Sequence, residues 1–214
     1  AHSESLAPLS LLTVVRGFSI VVEDVSMPPA FCLWQEWSEL LEAVNNVSSV
    51  NPVKILLAGN RGCGKSTMAR CLVNHLLNNH GAMQYVEADA GQPLRVMPGV
   101  VALMEIDSQE FGSDISSVRY SDAEVVHANF LGVTSAAGNP DAYTECLQSL
   151  INGARQKSDP IVVNTHGWFR GQGLEFTKRL LALLDADLVV HVEKPSDDVS
   201  TKRGKQRQDA SIFD

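Results

Sequence analysis

The sequence predicts a three-layer α/β domain, a mostly parallel sheet flanked by helices. Two patterns carry this prediction. Short apolar strands recur at residues 83–88, 125–131, 161–164 and 188–192, and helical spacing fits residues 141–156 and 172–184 between them. Strands alternating with helices of this length form parallel sheets with right-handed crossovers. A buried-type strand, Val53-Lys54-Ile55-Leu56-Leu57-Ala58, also runs directly into a glycine-rich turn and then a helix. With 214 residues, 44% hydrophobic and 20% charged, the chain has enough apolar material for one domain with a real core.

Taken in order, residues 17–23 alternate enough for a strand before Met27-Pro28-Pro29 breaks it. Residues 1–29 are therefore read as the end of a preceding β-rich domain or a linker. The opening Ala1-His2-Ser3-Glu4 lacks Met and the basic-then-apolar grammar of a signal peptide, so it reads as an excised start. Residues 33–47 have helical spacing, with Leu33, Trp37, Leu40 and Val44 on one side. The helix expected at 65–79 carries two adjacent apolar stripes, Met68, Leu72 and Leu76 beside Ala69, Val73 and Leu77. Such a wide apolar face suits packing on a sheet, and Asn79-His80-Gly81 ends it.

Formal net charge is −8, which argues against a protein that coats nucleic acid through bulk electrostatics. It leaves room for one that grips a strand end with a few placed cations. Lys202, Arg203, Lys205 and Arg207 concentrate positive charge near the end of the chain; taken alone, they equally suit a solvated helix face. Cys32, Cys63, Cys71 and Cys146 include no C-x-x-C, a pattern of free thiols in a reducing cytosol or nucleus. No apolar run approaches the ~20 residues that cross a bilayer, and no membrane role is expected.

The turn after residue 58 reads Gly59-Asn60-Arg61-Gly62-Cys63-Gly64-Lys65-Ser66-Thr67, a complete G-x-x-x-x-G-K-[ST] phosphate loop between strand and helix. Its glycines let consecutive N–H groups face phosphate oxygens, and the helix N-terminus adds partial positive charge. Lys65 is expected on the β- and γ-phosphates, Ser66 on Mg²⁺ and Thr67 on the α-phosphate. The fold is then a P-loop NTPase. An N-K-x-D segment and a D-x-x-G switch are missing, so ATP is favoured over GTP. The strand end Glu87-Ala88-Asp89-Ala90-Gly91-Gln92 puts carboxylates on the sheet edge where ligands bind. Asp89 is expected to hold a magnesium-bound water or accept a hydroxyl proton; the plainer reading is a turn cap. Glu87, two residues earlier on the same strand face, is expected to share that work.

This ordered set resembles the polynucleotide 5′-hydroxyl kinase family, which includes the RNA kinase subunit of the pre-mRNA cleavage machinery and the nucleolar kinase of pre-ribosomal RNA processing. The likeness extends through Pro98-Gly99, Phe130-Leu131-Gly132-Val133-Thr134-Ser135, Asn139-Pro140, Asn164-Thr165-His166-Gly167-Trp168 and Gly171-Gln172-Gly173, covering about residues 33–214. The nucleolar branch fits best, through Val73-Asn74-His75-Leu76-Leu77-Asn78. Pro93 stands where family members often carry Thr, and Ala136-Ala137-Gly138 replaces the usual proline of the clamp.

The resemblance implies ATP- and Mg²⁺-dependent transfer to RNA 5′-OH ends, a nucleolar location and an endoribonuclease partner in pre-rRNA processing. It places the kinase domain at residues 30–195 and a basic lid at 196–214, with Lys202 and Arg207 near the lid's two cationic positions and Arg207 as the transition-state cation. Gln92, Thr134, Ser135, Asn139 and Trp168 would hold the acceptor, although Thr134, Ser135 and Asn139 equally suit turn chemistry. A terminal base stacks on an exposed indole for ~1–3 kcal/mol; the alternative for Trp168 is loop packing. His75 and His127 read as surface or packing residues, and His166 as a loop residue near the site. Two rival readings are a non-catalytic ATP-bound scaffold of an RNA-processing complex and a small-nucleoside kinase.

Overall fold

The computed structural model describes residues 11–16, 35–48, 51–109, 123–155, 158–168 and 170–194. Its centre is β2 (Lys54–Ala58), flanked in parallel by β6 (Ile161–Asn164) and β7 (Leu188–Glu193). β3 (Met83–Glu87) continues the parallel run beyond β6. Side chains alternate across a strand, and here the alternation divides two cores. Ile55, Leu57, Tyr85, Val162 and Val190 enter one; Leu56, Ala58, Val86, Val163 and Val189 enter the other.

Helices seal both faces. α1 (Gln35–Ser48) and α2 (Lys65–His80) cover the first core with Trp37, Leu40 and Val44 from α1 and both apolar stripes of α2. α3 (Pro140–Ala154) and α4 (Gln172–Leu184) cover the second with Tyr143, Leu147, Leu150, Phe176 and Leu180. The three-layer prediction holds, with helix limits within about two residues of those expected from periodicity.

Three features differ from the sequence reading. The sheet carries β4 (Val100–Ile106) and β5 (Ala123–Phe130) antiparallel to their neighbours, and with β1 (Leu11–Arg16) its order is β1-β7-β2-β6-β3-β4-β5. The strand β4 escaped the period-two search because Val100-Val101-Ala102-Leu103-Met104 is apolar without alternation, as befits a strand buried on both faces. At the other edge, β1 (Leu11–Arg16) pairs in parallel with β7 from Leu11 opposite Leu188 to Arg16 opposite Glu193. Part of the segment assigned to a preceding domain or linker thus belongs to this sheet, because the outer edge of β7 offers unpaired backbone groups that another strand satisfies. The strand expected at 17–23 and the lid expected at 196–214 lie outside the described residues.

Edge strand β5 bulges against β4, where pairing steps from Leu103–His127 to Met104–Val125 and leaves Val126 as the extra residue. The cores lie instead around the central strands, which makes Leu56, wholly buried and paired on both sides, a test of the layer assignment. Leu56→Ala is expected to cost ~2–5 kcal/mol of stability, read from the urea midpoint of the full chain. A loss under about 1 kcal/mol would contradict the packing described.

Candidate active site

The C-terminal ends of parallel β2, β3 and β6 meet on one edge, and each feeds a loop that contributes to the site. After β2, Gly59, Gly62 and Gly64 take φ of 141°, 70° and 101°, values that favour glycine. At Gly59 a Cβ would lie 2.2 Å from the Val192 carbonyl oxygen, so the loop is also pressed against the end of β7. Lys65 opens α2 at 7% exposure, and its Nζ donates to the Gly59 and Asn60 carbonyls at 2.9 and 3.2 Å. Burial pulls its pKa down, opposed by the negative potential of Cys63, Asp89 and Glu87. The cradle of backbone N–H groups, the helix terminus and this ammonium fit a nucleotide's phosphates. Ser66, in the same first turn and half-buried, supplies a hydroxyl oxygen suited to a hard cation.

After β3, Glu87 and Asp89 separate in role. The Glu87 carboxylate is fully buried and accepts N–H groups from Leu94 at 2.7 Å, Asn164 Nδ2 at 2.9 Å and Asp89 at 3.2 Å. Burial raises its pKa to about 7 against the lowering effect of those hydrogen bonds. Its two oxygens brace the 88–94 loop, so the expectation that Glu87 shares the reacting work gives way to a bracing role. Asp89 is half-buried, and its Oδ1 accepts N–H from Gly91 at 2.9 Å and Gln92 at 3.0 Å. The turn-cap reading is therefore correct for Oδ1, while Oδ2 makes no hydrogen bond among the described residues. Capping with one oxygen orients the other, on a residue that lines the adjoining cavity.

After β6, Asn164 reaches across to Glu87, and Thr165 Oγ1 donates to the Leu57 carbonyl at 2.7 Å. Both are buried braces. Gly167 accepts the Arg61 N–H at 3.0 Å, and a Cβ there would lie 2.8 Å from Arg61 Cα, which packs this loop against the phosphate loop. Trp168 is 38% exposed. Its ring rests over Gly173, where a Cβ would meet Cγ at 2.6 Å, and sits 6.5 Å edge-on from Phe176. The ring is thus packed on Gly173 and Phe176 and leaves part of its surface open.

A cavity of about 490 Å³ lies among these loops, lined by Asp89, Gln92, Thr134, Ser135, His166 and Trp168. It also takes in Arg61 and Tyr143, neither of which was assigned to an acceptor pocket. Tyr143 was hidden in the apolar stripe of α3, where its hydroxyl donates to the Ala88 carbonyl at 2.7 Å. His166 is buried beside Tyr143, Phe176 and Trp168, with its pKa lowered by burial. Asn139 is not among the lining residues; its Oδ1 accepts from Ala142 N at 3.3 Å and caps α3. Ser135 does both, lining the cavity while its Oγ accepts from Ala137 N at 3.3 Å. Lys202 and Arg207 lie outside the described residues.

The raised Glu87 pKa has a thermodynamic consequence. Between about pH 4.5 and 7 the folded chain holds a proton at Glu87 that the unfolded chain has released, so this group's contribution to stability declines as pH rises through that window. Glu87→Gln removes the titration. Its melting temperature relative to the parent is expected to climb from pH 4.5 to 7 and level off above. Parallel melting curves across that range would contradict a buried, proton-retaining Glu87.

Residues 59–213 match the family model described as the mRNA cleavage and polyadenylation factor CLP1 P-loop. The polynucleotide 5′-hydroxyl-kinase NOL9 of Homo sapiens is 34% identical over 154 residues, covering 70% of this chain and 21% of that protein. The polynucleotide 5′-hydroxyl-kinase NOL9 of Arabidopsis thaliana is 30% identical over 167 residues, or 74% of this chain and 45% of that protein. The polynucleotide 5′-hydroxyl-kinase GRC3 of Candida albicans is 28% identical over 183 residues, 81% of this chain and 26% of that protein. The chain thus spans less than half the length of these relatives. Among solved structures, a chain of the wild-type Clp1p-Pcf11p (454-563) complex superposes with a TM-score of 0.62 at 16% identity, covering 83% of this chain and 45% of that one. The superposition supports the fold, and the family match runs from the phosphate loop nearly to the last residue. The chain belongs to the CLP1 P-loop family.

Proposed function

We propose that this chain is the catalytic domain of an ATP- and Mg²⁺-dependent polynucleotide kinase that phosphorylates RNA 5′-hydroxyl ends. The observation that carries this reading is the meeting of the phosphate loop and the Asp89 carboxylate on one sheet edge, with a cavity between the loops after β3 and β6. ATP would supply the γ-phosphoryl group and Mg²⁺ would offset its charge. Asp89 Oδ2 takes the proton from the acceptor hydroxyl, its carboxylate held by the Gly91 and Gln92 N–H groups. Lys65 would neutralise phosphate charge, Ser66 would hold the metal with Asp89 beside one of its bound waters, and Thr134, Ser135, Gln92 and Trp168 would position the strand end. Lys202 and Arg207, outside the described residues, complete the charge balance as cations of a lid segment at 196–214. Resemblance to the nucleolar branch supports a role in ribosomal RNA processing, in the nucleus and its nucleolus, beside an endoribonuclease. The relatives' names as polynucleotide 5′-hydroxyl-kinases support the acceptor class.

End-labelling of matched RNA and DNA 5′-OH oligonucleotides tests the activity and its preference. Asp89→Asn keeps a carbonyl oxygen for the Gly91 and Gln92 N–H groups but loses the basic oxygen. Transfer is expected to fall by roughly 10²–10⁴-fold with ATP binding nearly intact. Near-parental transfer by the variant would confine Asp89 to its turn.

The open ring surface of Trp168 gives a separate expectation. Trp168→Ala should weaken oligonucleotide binding by ~1–3 kcal/mol, roughly 5- to 150-fold, with ATP affinity unchanged and Trp168→Phe recovering most of the loss. Fluorescence anisotropy beside thermal melting measures both. A variant that melts far earlier and loses ATP and oligonucleotide together would assign the ring to packing alone.

A further inference from the structure

Arg61 lies at the third position of the phosphate loop, where the motif by itself places it with the nucleotide. Its residue nevertheless lines the cavity on the other side, with Asp89, Gln92, Thr134, Ser135 and Trp168. The main chain is held there by protein contacts alone. The Arg61 N–H donates to the Gly167 carbonyl at 3.0 Å, and the backbones approach so closely that a Cβ on Gly167 would meet Arg61 Cα at 2.8 Å. Gly167 immediately precedes Trp168, so the arginine and the indole arise from adjoining backbone on one wall.

The electrostatics of that wall are lopsided. Among the described residues lining the cavity, Arg61 carries the positive charge and Asp89 the negative one, and burial keeps His166 toward its neutral form. The Arg61 side chain is exposed and has no ion-pair or hydrogen-bond partner among the described residues. A polyanionic strand entering a chain of net charge −8 gains nothing from the protein's overall field. It needs a local cation, and a guanidinium presents a planar pair of N–H donors matched to phosphate oxygens.

We infer that Arg61 is a specificity-determining residue for the acceptor, binding the phosphate on the 3′ side of the reacting nucleotide while Trp168 takes its base. This rests on the kinase reading above and assigns the residue that tells a strand from a free nucleoside: the 5′-terminal nucleotide of a strand is followed by a 3′ phosphate, which a free nucleoside lacks. The same guanidinium chemistry would equally suit the transferring phosphoryl group of ATP, and the test separates the two.

The experiment titrates a fluorescent 5′-OH oligoribonucleotide into the full chain at several salt concentrations, with ATP binding measured in parallel, for the parent, Arg61→Gln and Arg61→Lys. Arg61→Gln is expected to weaken oligonucleotide binding about tenfold or more. It should also flatten the slope of log K against log salt by about 0.7, the value for one single-strand phosphate contact. ATP affinity should stay within about twofold, which also certifies folding. Arg61→Lys should restore the slope and only part of the affinity, since an ammonium is a point charge without the planar fork. An unchanged slope in Arg61→Gln, or a loss confined to ATP binding or turnover, overturns the inference and leaves the kinase reading standing. A parent chain that neither binds nor phosphorylates the oligonucleotide overturns the kinase reading, and this inference with it.

Discussion

The site depends on one buried carboxylate. Glu87 gathers N–H groups from the loop after its own strand and from the side chain of Asn164 at the end of the neighbouring strand. A carboxylate without exposure is costly unless its oxygens are satisfied, and satisfying them dictates where residues 89–94 run. Asp89 then caps the next turn with one oxygen, fixing the direction of the other. Together with the Asn164 carbonyl on Ala88 N–H and Tyr143 on the Ala88 carbonyl, Glu87 keeps Asp89 beside the phosphate loop.

A second set of braces joins the two halves of the site. Thr165 bonds the carbonyl of Leu57 just before the phosphate loop, and Gly167 takes the N–H of Arg61 within it. The loop expected to hold the acceptor is therefore packed directly on the loop expected to hold the nucleotide. Backbone contact this close requires glycine at 167. On the proposed kinase reading, it would leave little play between the two substrates of an in-line transfer, a reaction whose catalysis is chiefly positioning and charge stabilisation.

Several residues meet the plainer, structural reading of the sequence and still leave surface open at the cavity. Trp168 buries one side of its ring over Gly173 and leaves the rest open. Ser135 caps a short turn and still lines the cavity, whereas Asn139 is spent on the N-terminus of α3. Short polar side chains readily bond their own backbone, and each atom so used has less capacity left for a ligand. Spacing along the chain does not distinguish these uses.

The sequence by itself determined the layer architecture, the phosphate loop and the carboxylates at the end of β3, because each rests on local periodicity or a contiguous motif. Residues 161–164 and 172–184 emerged with the limits expected of them. Only the tertiary structure decided that residues 11–16 complete the sheet, that β4 returns antiparallel, that Glu87 braces while Asp89 faces the cavity, and that Arg61 lines that cavity against Gly167. Each of these depends on which groups far apart in the chain come together: an open strand edge, a backbone N–H seven residues on, a glycine carbonyl more than a hundred residues away. Periodicity records the face a residue turns to the core, and carries no information about the partner waiting there.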